Sequence, residues 1–215
     1  MAKKTVWHDD YWLMLMQVYL RRPVGIKPRY SRTMVDLSLE LHIAPEVLER
    51  RMQQIARLDT PRIERIWKVY SASPQQLMRA VSLLRQMKGF GAADEFYDGV
   101  EVQETFERDF RPLEADDRYT PVILILILDL YFQLTPGTMV SVTPEVKALA
   151  RLVGLTSSDI VEVLDVYQIC DPYLERNEVT FSPLLVPCQQ VWQRMSDKEP
   201  PQLHAIAEEL KEYYH

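Results

Sequence analysis

The sequence predicts an all-α protein: two pseudo-repeated multi-helix units with helix-turn-helix-like hairpins, joined by an acidic connector. Three observations predict it. Gly is scarce, at 6 of 215 residues, while Leu, Met, Arg, Gln and Glu, which lose little rotamer freedom in a helix, are plentiful. Among the 14 prolines, Pro45, Pro61, Pro74, Pro144 and Pro200 each stand just ahead of apolar residues at helical spacing. The first helical turn is where a missing N–H does no harm. Third, the chain repeats its own pattern. A shift of 112 positions, without a gap over residues 11–59, lays Tyr19 on Tyr131, Gly25 on Gly137, Leu37 on Leu149 and Asp59 on Asp171. The same shift lays Leu41, Ile43, Leu48 and Met52 on Val153, Leu155, Ile160 and Leu164. The agreement lies in pattern more than in letters, so two unrelated helical regions with similar helix lengths is the competing reading.

In the first half, residues 11–22 form an apolar helix closed by Pro23, and residues 24–30 connect it to the next. Ser31 stands as N-cap of a helix to Leu41, with Met34, Val35, Leu37, Leu39 and Leu41 as its apolar positions. After a break at 42–44, Pro45 starts a helix to Leu58 whose stripe is Leu48, Met52 and Ile55. Thr60-Pro61 opens a fourth helix carrying Ile63, Ile66, Trp67 and Tyr70. Ser73-Pro74 opens a fifth, with Leu77, Val81, Leu84 and Met87 in register and Gly89 as its end.

In the second half, the apolar run 122–132 taken alone suits a buried strand as well as a helix. Its counterpart at 12–16 is rich in Leu and Met, which decides for helix. Thr143-Pro144 starts the next helix, Gly154 interrupts where His42 does, and Thr156 caps a helix to Ile169 with Ile160, Leu164 and Tyr167 on one face. Val191-Trp192 echoes Ile66-Trp67, and residues 200–213 echo 74–87. Those later offsets differ because of an insert at 172–187, where Val179-Thr180-Phe181 suits a short strand or wing.

Charge divides the chain more sharply than hydrophobicity does. Residues 1–90 form a basic unit with 16 Lys and Arg against 8 Asp and Glu. The connector, 91–120, has 3 against 10, and the second unit, 121–215, has 6 against 13. Opposite charges of this size favour pairing of the two halves, within a chain or between copies, so a homo-oligomer is one expected outcome. Phe96, Tyr97, Phe106 and Phe110 do not suit a solvated tether. The connector is therefore expected to dock on one half, the basic one by charge, through a short helix bearing Val102, Phe106 and Phe110, with Glu104 and Arg108 at i, i+4.

Apolar residues are 47% and charged residues 26%, the balance of a soluble globular protein. The most apolar stretch, 122–128, stops at Asp129, too short to cross a bilayer, and no signal-peptide pattern follows the first apolar run. Two cysteines, Cys170 and Cys188, make no disulfide framework. A cytoplasmic protein with free thiols and no membrane partner is expected.

Twice the apolar spacing is that of two short helices joined by a tight turn: residues 37–52, turning at His42-Ile43, and 149–164, turning at Gly154-Leu155. Both segments resemble the helix-turn-helix superfamily over about twenty residues each. The resemblance implies DNA binding, which needs cations for phosphates and donors near the start of the second helix. The second copy offers Ser157, Ser158, Asp159, Glu162 and Asp165 there and would repel phosphate. In the first, Glu46 and Glu49 come first, but Arg21, Arg22, Lys27, Arg29, Arg32, Arg50 and Arg51 could hold a nucleic-acid backbone. An ordinary packed helical hairpin has the same spacing.

Enzyme signatures are missing: no HExxH, paired CxxC, GxSxG or phosphate-binding glycine loop occurs. His8, His42, His204 and His215 lack metal-ligand spacing, and the acidic residues Asp94, Glu95, Asp98, Glu101 and Glu104 lack the ligand alternation of an EF-hand. No catalytic, cofactor or metal site is expected. The predicted function is a non-enzymatic protein-interaction or regulatory scaffold. The alternative is a DNA-binding transcriptional regulator that uses the basic N-terminal half.

Overall fold

Helix starts and stops in this chain are set by prolines, short polar caps and left-handed residues. A computed structural model describes residues 7–87, 90, 105–174 and 182–215. Those residues hold eleven α-helices, one 3-10 turn and no strand, and the chain divides into two compact units, Met1–Gln103 and Glu104–His215.

The first unit contains α1 (Tyr11–Leu20), α2 (Arg32–Leu41), α3 (Pro45–Arg57), α4 (Pro61–Tyr70) and α5 (Pro74–Gln86). α1 is central: it packs on α2, α3 and α5, burying Trp12, Met14, Leu15, Met16 and Val18. Leu48, Met52 and Ile55 on α3 are almost wholly buried, each worth roughly 1.5–3 kcal/mol relative to exposure. α4 is the least enclosed helix, burying only Ile63 and Ile66 and resting Trp67 edge-on against Tyr19, ring centroids 6.0 Å apart. α2 ends at His42, whose φ of 52° is left-handed, and the Ile43 N–H closes back on the Ser38 carbonyl. Thr60 caps α4 by accepting from the Ile63 N–H. Ser31 occupies the N-cap of α2 without a side-chain bond; its backbone carbonyl accepts from Met34 and Val35 instead.

The second unit contains α6 (Thr105–Asp109), α7 (Pro121–Gln133), a 3-10 turn (Pro136–Thr138), α8 (Pro144–Val153), α9 (Ser157–Cys170), α10 (Leu185–Met195) and α11 (Pro200–Lys211). The run that suits strand or helix is the helix α7. It starts from a Thr120 side-chain cap and Pro121, and it is buried from Pro121 through Tyr131. A helix apolar all round has to lie at the centre of its unit. Around it pack α6, α8, α9, α10 and α11. α8 ends at Gly154, φ 76°, where the Leu155 N–H returns to the Ala150 carbonyl. Thr156 and Asp159 form a reciprocal capping box on α9. Thr143 occupies the N-cap of α8 without a side-chain cap bond and donates its hydroxyl to the Thr138 carbonyl at 2.6 Å.

Residues 105–120 of the acidic connector belong to the second unit. α6 packs on α7, Phe110 is buried against the Tyr213 ring, and Arg118 clamps Asp116 and Asp159, each at 2.7 Å. Val102 and Glu104 of the expected helix, Gly89, and Val179-Thr180-Phe181 of the insert lie outside the described residues.

Candidate interaction surfaces

The seven cations that the sequence puts forward differ in how far they are exposed. Lys27, Arg29 and Arg51 are engaged inside the first unit. The Lys27 ammonium donates to the Arg21 and Pro23 carbonyls, and burial, with the nearby Arg21 charge, lowers its pKa. Arg29 Nε donates to Glu49 Oε2 at 2.8 Å. Arg51 lies over the Trp7 and Trp12 rings, 5.0 and 5.5 Å from their centroids, and donates to Gln54. Arg21, Arg22, Arg32 and Arg50 are exposed.

With Leu48, Met52 and Ile55 facing the core, the opposite stripe of α3 is Glu46, Arg50, Gln53 and Arg57 at i, i+4, i+7 and i+11. Glu46 is held by the Tyr30 hydroxyl at 3.0 Å, and Glu49 by Arg29, so both carboxylates near the start of α3 are tied to the preceding loop. The rest of the stripe is open: Arg50, Gln53 and Arg57 are exposed. α4, anchored through Ile63 and Ile66, exposes Arg62, Arg65 and Lys68. Sequence reasoning passed over Arg57, Arg62, Arg65 and Lys68. The signal was present in the buried stripes, whose complement is the solvent face. On α9 the corresponding stripe reads Ser158, Glu162 and Asp165, all exposed.

The second unit has a groove that no sequence pattern announced. The segment 108–115 forms one wall, α10 and the turn before it form the other, and Pro121 and Leu124 of α7 form the floor. It comprises two hollows of about 250 and 600 Å³ that share Arg108, Leu113, Pro121, Pro187 and Gln190. Pro112, Leu113, Pro183, Val186 and Pro187 supply apolar wall, and Val186 is 60% exposed. Two links tie wall to wall: Arg108 donates to Gln190 at 3.3 Å and Arg194 to Asp109 at 2.7 Å. Burial raises the Asp109 pKa, opposed by Arg194 and then Arg108. Arg111, paired with Glu107, and Glu114 also line the larger hollow.

Other titratable groups are structural. Asp129, on the apolar α7, is 3% exposed and accepts from Gln133 at 2.7 Å, with His204 Nδ1 at 3.1 Å. The thiols are unactivated: burial pushes Cys170 up to about 11 and Cys188 up to about 12. Among the described residues no group of three His, Cys, Asp or Glu could hold a metal ion, and no helix is long and apolar enough to cross a membrane. No known protein family, curated protein or solved structure matches this chain.

Proposed function

We propose that the protein is a non-enzymatic cytosolic interaction scaffold, made of one helical building block used twice. In this reading the second copy receives an extended segment of a protein partner in the groove between residues 108–115 and α10. The groove is the observation that carries it. It joins two hollows that share lining residues, is walled by prolines, Leu113 and Val186, and is bordered by Arg108, Arg111 and Glu114, whose polar groups can fix an incoming backbone.

The duplication is supported by features recurring 112 positions apart. α2 and α8 start and end at corresponding residues, and both stop at a left-handed residue, His42 and Gly154. The aligned Tyr19 and Tyr131 each meet a tryptophan of their unit edge-on, Trp67 of α4 and Trp192 of α10, at 6.0 and 5.8 Å with interplanar angles of 73° and 72°. The free thiols suit a reducing compartment.

The test is capture from native cell extract with the full chain as bait, comparing wild type with Val186→Arg, a change at an exposed groove position. Proteins retained by wild type and lost from the variant support the reading. Identical captured sets would refute it. A second reading, nucleic-acid binding by the first unit, is favoured by the exposed cations of α3 and α4 and is developed next.

A further inference from the structure

We infer that the solvent faces of α3 and α4 bind the phosphate backbone of duplex DNA without reading its sequence. This rests on the nucleic-acid reading, but it moves the contact from the loop arginines to Arg50, Arg57, Arg62, Arg65 and Lys68. From Arg50 to Arg79 the chain carries seven cationic side chains and two carboxylates. All five named cations are exposed. They are spread over two consecutive helices: Arg50 and Arg57 stand opposite the buried stripe of α3, Arg65 and Lys68 stand opposite Ile63 and Ile66 on α4, and Arg62 lies on the flank of α4 beside Ile63.

Magnitudes choose the partner. A protein docking here would need a buried aromatic or aliphatic anchor. The exposed positions of α4 include one large apolar side chain, Val69, and those of α3 include none. The most obvious protein occupant is the acidic α9 stripe, Glu162 and Asp165, of a second copy. Exposed ion pairs contribute about 0.2–1 kcal/mol each. Two or three of them fall far short of the ~8 kcal/mol that a micromolar complex requires. A polyanion gains differently. Each neutralised phosphate releases condensed counterions, so about five contacts give a log–log salt slope near −4.5 and measurable affinity at low salt. The chain's net charge of −6 arises from residues 91–215, whereas residues 50–79 balance at +5, seven cations against Asp59 and Glu64.

The geometry also sets the mode. Reading bases from the start of a helix needs free donors there. The first five residues of α3 offer Glu46 and Glu49, held by Tyr30 and Arg29, and the cations come only afterwards. Contacts therefore go to phosphates, which position a protein without specifying a sequence.

The experiment is fluorescence anisotropy of the full chain with labelled duplexes of about 20 bp, in two unrelated sequences, titrated between about 25 and 200 mM salt. The expected result is equal affinity for both sequences and a slope of about −4 to −5. Combined Arg50→Ala, Arg57→Ala, Arg62→Ala and Arg65→Ala should weaken binding by about 100-fold or more at low salt and flatten the slope by three to four. The same four positions changed to Lys should stay within about 3-fold, and a loop control, Arg21→Ala with Arg22→Ala and Arg32→Ala, within about 3-fold. Circular dichroism verifies folding of each variant, and a Gln set replaces the Ala set if the latter unfolds. Absence of binding at low salt sinks both this inference and the nucleic-acid reading. Loss in the loop control but not in the α3–α4 set sinks the inference alone. So does a preference for one sequence, for single strands, or for salt-sensitive self-association in place of DNA.

Discussion

Trp192→Ala is expected to destabilise the protein more than Trp67→Ala, although both indoles are half-buried, Trp67 on α4 and Trp192 on α10. Trp192 has three ring neighbours: Tyr131 at 5.8 Å, Phe132 at 5.6 Å and Tyr167 at 6.2 Å. Among the described residues Trp67 has one, Tyr19 at 6.0 Å. An aromatic pair contributes about 0.5–1.5 kcal/mol beyond the area it buries. Removing the indole therefore forfeits about 1.5–4.5 kcal/mol of ring–ring attraction at Trp192 and about 0.5–1.5 at Trp67. With comparable transfer losses, the gap is about 1–3 kcal/mol. Urea unfolding followed by circular dichroism reads this as a midpoint difference of about 0.5–1.5 M at a typical slope of ~2 kcal/mol/M. If the units unfold separately, each variant shifts its own transition. A double-mutant cycle with Tyr131→Leu should return a coupling of about 0.5–1.5 kcal/mol. Equal shifts, or a larger one for Trp67→Ala, would show that ring packing does not hold α10 in place.

Three further outcomes are expected. Because burial raises both thiols, native protein at pH 8 should resist iodoacetamide while unfolded protein, its thiols near pKa ~8.5, is labelled at Cys170 and Cys188; rapid native labelling counted by mass spectrometry contradicts this. Gly154→Ala should cost about 1–2 kcal/mol from left-handed backbone alone, since a Cβ there meets nothing within 4 Å, and His42→Gly should gain a fraction of that; thermal melts that do not separate the two in sign refute the assignment. Burial raises the pKa of Asp109, so its folded form holds the proton more tightly than the unfolded chain does. Its contribution to stability should therefore grow as pH falls through the raised value toward the ordinary carboxylate range, and Asp109→Asn should abolish that segment of the pH profile in urea melts.

Much of the helical framework was legible because its causes are local. Pro45, Pro61, Pro74, Pro144 and Pro200 each occupy a first or second helical position, and the stripes Leu48-Met52-Ile55 and Leu77-Val81-Leu84 are buried as their spacing requires. Caps were less legible. Thr60 and Thr156 cap with their side chains, whereas Ser31 does not and Thr143 turns its hydroxyl to a loop carbonyl. A hydroxyl can serve several nearby partners, and the path of the chain before the helix selects among them. The cations of α3 and α4 could have been found by inverting the apolar stripes. The groove could not, because Leu113, Pro121 and Val186 share no periodicity.

Sequence alone determined that the described chain is helical, where most helices begin, and that a surplus of cations lies in one half and of carboxylates in the other. These follow from propensity, periodicity and charge count, properties carried by a residue and its near neighbours. Tertiary structure decided that Lys27, Arg29 and Arg51 are used internally while Arg50, Arg57 and Arg62 are exposed, and that α6 and α10 border a groove. Those outcomes depend on which distant segments a side chain meets: Arg29 finds Glu49 twenty residues on, and Arg194 finds Asp109 eighty-five residues back. Such pairings are made by packing, and packing is a property of the assembled core.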